Sequence, residues 1–93
     1  MTHRTQITIV ADLLKAVKEE DHVGGARISS LLRKANIPYS RLVDITERMV
    51  SNQLLLKIPA ERGSLYKLGP KGLEFLENFE RFERFAKAYG LRL

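Results

Sequence analysis

The side chains able to do chemistry in this sequence are cations, and they are concentrated in the middle. Residues 22–69 hold eight bases (Arg27, Arg33, Lys34, Arg41, Arg48, Lys57, Arg62 and Lys67) against three acids (Asp44, Glu47 and Glu61), a net +5 that matches the charge of the whole chain. The flanks nearly cancel, at −1 for residues 1–21 and +1 for 70–93. A guanidinium presents a planar fork of donors that fits phosphate oxygens or two acceptors on one base edge, while lysine offers a point charge. A polyanion drawn to this chain therefore meets the middle segment first.

Within that segment the cations fall on distinct pieces. Tyr39, Ser40, Arg41, Asp44 and Arg48 alternate with Leu42, Ile45, Thr46 and Met49, whose three- and four-residue steps place them on the inward face of a helix. The polar set is then turned outward. Arg41 and Arg48 suit the edge of guanine, and Tyr39 and Ser40 suit phosphates. Asp44 sits centrally and could pair with Arg48 one turn on, so a solvated face laced with an ion pair accounts for this helix equally well. Arg62 lies in a turn, Glu61-Arg62-Gly63, between two short apolar runs that carry Lys57 and Lys67. Arginine at such a tip favours a minor groove or its backbone. Arg27, Ser29, Arg33 and Lys34 could add phosphate contacts around the preceding helix.

No set of side chains points to catalysis. His3 and His22 are isolated from one another and lack an acidic partner at metal-ligand spacing. Gly24-Gly25 lacks the lysine and hydroxyl of a phosphate-cradling loop. Ser29 and Ser30 have no base nearby, and the chain has no cysteine. The expectation is a protein that is not an enzyme, with no metal and no cofactor. No stretch reaches the roughly 20 apolar residues that cross a bilayer. Met1-Thr2-His3-Arg4 lacks the apolar run of a secretory signal, so a cytoplasmic place and no membrane partner are expected.

The elements that must position these groups can be read in order. Ile7, Val10, Leu13, Leu14 and Val17 mark the apolar face of a first helix over about 5–20, capped by Thr5 and ended at His22-Val23-Gly24-Gly25. Ala26-Arg27-Ile28 reads as extended, and Ser29 as the cap of a short helix from Ser30 to about Ala35 with Leu31 and Leu32 inward. Asn36-Ile37-Pro38 breaks it. Ser40 reads as the cap of a third helix to about Ser51, with Asn52 as its left-handed exit. Leu54–Pro59 and Leu65–Leu68 form a hairpin around a five-residue turn, Tyr66 and Leu68 facing in. Gly69-Pro70 opens a last helix to about Tyr89, with proline at a position where its missing N–H is harmless. Leu73 and Leu76 should pack on the first helix. Phe75, Phe79, Phe82, Ala86 and Tyr89 follow 4-3-4-3 steps, a heptad seam suited to a second copy of the chain. The fold class expected is mainly α with a small β-hairpin: a winged helix-turn-helix over residues 1–69 and a long C-terminal dimerisation helix over 70–93.

Several stretches carry a resemblance to a known family. Gly25-Ala26-Arg27, Ser29 to Leu32, Lys34 to Tyr39, and above all Tyr66-Lys67-Leu68-Gly69-Pro70-Lys71-Gly72-Leu73-Glu74-Phe75-Leu76 resemble the small archaeal winged-helix DNA-binding proteins with a C-terminal coiled-coil helix, described as chromatin proteins and predicted transcriptional regulators. The likeness covers about residues 5–85. Family members usually carry threonine where this chain has Gly69, which implies a weaker helix cap here. The resemblance implies a homodimer that brings two reading helices and two wings to double-stranded DNA. A winged-helix module that binds protein instead of DNA is the alternative, and Asp44 and Glu47 on the third helix are its signature.

Overall fold

The computed structural model describes residues 5–93, so His3 and the first residues of the expected N-terminal pattern lie outside it. Four helices and one hairpin follow in the order α1 (Gln6–Glu19), α2 (Ile28–Ala35), α3 (Tyr39–Ser51), β1 (Leu55–Pro59), β2 (Ser64–Leu68) and α4 (Pro70–Ala88). The expected fold class, mainly helical with one hairpin and a long last helix, is the observed one.

Helix α1 starts where Thr5 accepts a hydrogen bond from the Thr8 amide at 3.2 Å, satisfying one of the four amides a helix start leaves unpaired. It is the central element, burying Ile9, Leu13, Leu14 and Val17 almost completely. Ile7 is a correction. It stands 59% exposed, and Ile9 takes the inward place, because the buried stripe runs 9-10-13-14-17. A single 3₁₀ turn, Asp21–Val23, and Gly24 at φ 92° end the helix.

The caps of the next two helices differ from expectation. Helix α2 begins two residues early, with extended Arg27 before it, so Ile28 starts the helix and Ser29 lies inside its first turn. Helix α3 is preceded by Pro38, and Ser40 is already helical. In both cases the carbonyl of the residue before the helix accepts the first helical bonds and no side chain caps the start. The inward face of α3 is as expected: Leu42, Ile45, Thr46 and Met49 are all buried, and the Thr46 hydroxyl donates to the Val43 carbonyl at 3.0 Å. The left-handed residue after α3 is Gln53 at φ 64°, not Asn52.

That turn at Gln53 builds the junction with α4. The Gln53 and Leu54 carbonyls accept from the Lys71 and Gly69 amides at 3.1 and 2.9 Å, which caps the start of α4 with backbone instead of a side chain. A Cβ on Gly69 or Gly72 would run into these same carbonyl oxygens. Glycine at 69 is thus a steric requirement of this junction, whereas a threonine would trade a cap for a clash.

The strands pair antiparallel with Leu55 opposite Leu68 and Lys57 opposite Tyr66. The loop is four residues, Ala60–Gly63, one fewer than expected, because Ser64 joins the ladder opposite Pro59. Leu55 and Tyr66 complete the core with Leu31, Leu42 and Leu76. Leu76 is buried but Leu73 is 42% exposed, a second correction. The inward stripe of α4 is Gly72, Leu76 and Ala86.

Candidate nucleic-acid interface

The outer face of α3 follows from its inward one. With Leu42, Ile45 and Met49 buried, Tyr39, Ser40, Arg41, Asp44, Glu47, Arg48 and Ser51 are all exposed. Asp44, Glu47, Arg48, Ser51 and Asn52 line an open groove along the helix. No ion pair joins Asp44 to Arg48 among the described residues, and the Arg41 and Arg48 guanidinium groups have no partner there either. The Asp44–Arg48 pair that the spacing allows is therefore not formed among the described residues, and both cations of α3 are presented to solvent.

The hairpin packs beside this face. Lys57 lies opposite Tyr66 in the ladder and so shares its side of the sheet. Between α3 and the hairpin, Tyr39, Val43, Thr46, Glu47, Lys57, Ser64 and Tyr66, with Ile28 of α2, line a cleft of about 190 Å³. Arg62 projects from the exposed loop, while Lys67 is half-buried on the opposite side of the sheet from Lys57. The structure thus sets Lys57 of the hairpin beside Tyr39, on the helix that also exposes Ser40, Arg41, Asp44 and Arg48, and leaves Arg62 in the exposed loop. Glu47, expected on this outer face as a mark of the protein-binding alternative, lines both the groove and the cleft.

The cations around α2 are differently placed. Arg33 donates from Nη2 to the Ser30 hydroxyl at 3.3 Å on its own helix. Lys34 donates from Nζ to Glu19 Oε2, tying the end of α2 to the end of α1. This bond and the ammonium charge hold the Glu19 carboxyl below the ordinary carboxylate value, and the same bond raises Lys34. Arg27 donates from Nη1 to the Arg62 carbonyl at 2.8 Å, across the base of the loop. Ser29 is exposed in the first turn of α2.

Helix α4 divides its expected seam. Phe75 packs against the core, and the Lys15 ammonium sits 5.5 Å above the Phe79 ring while reaching Glu83 at 4.0 Å. Ala86 is 4% exposed within its own chain. Phe82 and Tyr89 are open, at 55% and 70% exposed, and Phe85 at 60% lies between them. The rings of Phe82 and Phe85 stack at 6.4 Å, and those of Phe85 and Tyr89 tilt at 5.0 Å. Phe85 was overlooked, though its three- and four-residue steps from Phe82 and Tyr89 would have found it. Among the described residues no group of His, Asp and Glu is gathered as a metal site, and no helix is long and apolar enough to cross a membrane.

A short helix, a tight turn, a second helix with an exposed polar face and then a two-stranded hairpin define a winged-helix architecture. The chain belongs to the winged helix-turn-helix family, whose sequence profile matches residues 3–87 and so runs through most of α4. No curated protein matches the sequence. Among solved structures, the fold is similar to that of BpsR from Bordetella bronchiseptica, whose DNA binding is regulated by 6-hydroxynicotinic acid, with a TM-score of 0.68 at 19% identity over 80% of this chain and 56% of BpsR. The chain therefore spans little more than half the length of BpsR. It is also similar to AF1382 from Archaeoglobus fulgidus, with a TM-score of 0.67 at 17% identity over 81% of this chain and 84% of that one. A MepR-like protein complexed with pseudoligands gives a TM-score of 0.61 at 19% identity, over 91% of this chain and 66% of that protein. At these identities the likeness is one of fold.

Proposed function

We propose that this protein binds double-stranded DNA as a homodimer, in the cytoplasm, as a transcriptional regulator or nucleoid-associated chromatin protein of the archaeal kind. Residues 1–69 form the reading unit and 70–93 the assembly helix. The observation that carries the reading is the exposed face of α3, where Arg41 and Arg48 have no partner among the described residues, in the segment that holds the largest surplus of positive charge. In this reading α3 enters a major groove. Arg41 and Arg48 address base edges, Tyr39 and Ser40 address phosphates, and Asp44 accepts from a cytosine amino group. Lys57, Arg62 and Lys67 contact the adjoining backbone. It is a binding protein without catalytic chemistry or cofactor.

The second copy is placed on Phe82, Phe85 and Tyr89. Three exposed rings in mutual contact on one helix are unusual on a monomer's surface, and aromatic anchors are enriched at interfaces. Such a pair of helices would be a short coiled coil, with Phe79 and Ala86 at its flank. Light scattering should give twice the chain mass of 10.6 kDa, and Phe82→Asp with Phe85→Asp should return it to one. A monomeric wild type would refute the assembly.

Fluorescence anisotropy with random-sequence duplex DNA across a salt series tests the main reading. Binding whose log affinity falls steeply with log salt supports it, at a slope of roughly −0.9 per phosphate contacted. One observation favours a protein partner instead: Asp44 and Glu47 are exposed at the centre of α3 with no cation paired to them among the described residues. In that case no duplex binds at low salt.

A further inference from the structure

The hairpin is fastened to the body along the segment that leads into α2. Ala26 and Tyr66 exchange both backbone bonds, at 2.9 and 2.7 Å, as a single antiparallel bridge. Gly25 lies flat against β2. Its φ is +131°, and a Cβ there would sit 2.9 Å from the Tyr66 carbonyl oxygen and 3.2 Å from the Leu65 Cβ. The middle of β2 is therefore fixed by backbone.

The tip is held differently. The loop Ala60–Gly63 closes on itself through one bond, Ala60 N–H to the Gly63 carbonyl at 3.1 Å, and Glu61, Arg62 and Gly63 are exposed. Arg27 reaches it from outside. The Arg27 carbonyl accepts from the Ser30 and Leu31 amides at 3.0 and 3.2 Å, so its backbone is locked as the start of α2. Its guanidinium then crosses to the Arg62 carbonyl at 2.8 Å. A charged donor on a neutral carbonyl makes a stronger bond than two neutral groups do. One side chain on a rigid helix start thus fixes the backbone from which the Arg62 side chain leaves.

We propose that Arg27 is a positioning residue that clamps the tip of the wing, so that Arg62 meets the DNA backbone already oriented. The proposal rests on the DNA-binding reading above. It assigns Arg27 a different task from the direct phosphate contact expected of it, and it makes the two arginines one unit. Without the clamp, binding has to order the loop and the long Arg62 side chain at its own expense.

Arg62→Ala removes the side chain but keeps the carbonyl that Arg27 holds, which makes a double-mutant cycle informative. Duplex affinity is measured by anisotropy for the wild type, Arg27→Gln, Arg62→Ala and the double variant. Arg27 is exposed and outside the core, so Arg27→Gln leaves the fold in place. Arg27→Gln should weaken binding about fivefold, the scale of ordering one long side chain. In the Arg62→Ala background the same change should cost less than about twofold and leave the salt slope unchanged, because the group it positions is gone. Losses that multiply, with the slope falling by about one more contact, would overturn the proposal and make Arg27 a phosphate ligand.

A readout in the free protein stands apart from DNA. Backbone amide relaxation of residues 61–64 should change from an ordered to a mobile pattern in Arg27→Gln, with order parameters dropping below about 0.6. An unchanged loop would also overturn the clamp. If the wild type binds no duplex at low salt, the DNA reading falls and takes the role of Arg27 toward DNA with it. That outcome is distinct from a wild type that binds while the cycle is additive.

Discussion

The cations around α2 and those on α3 and the wing look alike in the sequence, yet the fold treats them as two populations. Around α2, Arg27 is bound to the Arg62 carbonyl, Arg33 to the Ser30 hydroxyl and Lys34 to Glu19. On α3 and the wing, the side chains of Arg41, Arg48, Lys57 and Arg62 have no partner among the described residues. The first group is employed in holding the protein together. The second is free to exchange its hydration for phosphate oxygens and base edges. Net charge alone would assign equal weight to both; in the proposed reading availability, more than charge count, selects a nucleic-acid contact.

This contrast can be broken by mutation. The largest effect belongs to α3. Arg41→Ala or Arg48→Ala should each weaken binding to a preferred site by about 1–3 kcal/mol, or roughly 5- to 150-fold, with less loss on random duplex. Competition between the two DNAs measures the lost preference. Next comes the wing: Lys57→Ala should weaken all sequences about equally and lower the salt slope by about one. Arg33→Ala should change affinity by less than about twofold, because its guanidinium is already bonded to its own helix, although exposed pairs of this kind are weak. A loss as large as that of Arg48→Ala would erase the distinction between the two groups.

The smallest expected effect has the opposite sign. Glu19→Gln removes the acid that occupies Lys34 and should tighten duplex binding slightly, by less than about threefold, read by anisotropy at low salt. The pair also sets a pH window. Because the Glu19 carboxyl is held below its ordinary value of 4.5, the stability from the pair is present above that value and lost as pH falls through the lowered one. Because Lys34 is raised above its ordinary value of 10.5, the pair's contribution is complete below that value and lost as pH rises beyond it. Thermal unfolding of Glu19→Gln should fall slightly below the wild type near pH 7, and the gap should narrow as pH falls below 4.5.

Much of the architecture was legible because it rests on periodicity. The inward face of α3, that of α1 from Val10 onward, the position of the hairpin and the extent of α4 all follow from apolar spacing. What escaped were features decided by backbone geometry. Ser29 and Ser40 look like caps, but the helices start earlier, at Ile28 and Tyr39, and leave both serines helical. Gln53 takes the left-handed turn that Asn52 suits better by type, because the α4 junction needs the Gln53 carbonyl at that place. Gly69 reads as a missing cap and is in fact the contact point of two segments. On α4 the aromatic steps were visible, but a heptad cannot say which edge of the stripe its own α1 will cover. The structure turns Ala86 inward and leaves Phe85 out. The candidate site was half legible in the same sense. Its residues could be named from type and spacing, while their employment depends on partners as remote as the 35 residues between Arg27 and Arg62.

The central claim is that the free cations of α3 and the wing, not those around α2, carry DNA binding. Its most direct test is the salt dependence of duplex affinity for the wild type, for Arg48→Ala with Lys57→Ala, and for Arg33→Ala with Lys34→Ala. The account predicts a wild-type slope of about −3 per protomer, from Lys57, Arg62 and Lys67, a drop of about one contact in the first double variant, because Arg48 faces bases, and almost no change in the second. A slope that falls in the α2 variant and holds in the other, or a wild type that binds no duplex at low salt, would contradict it.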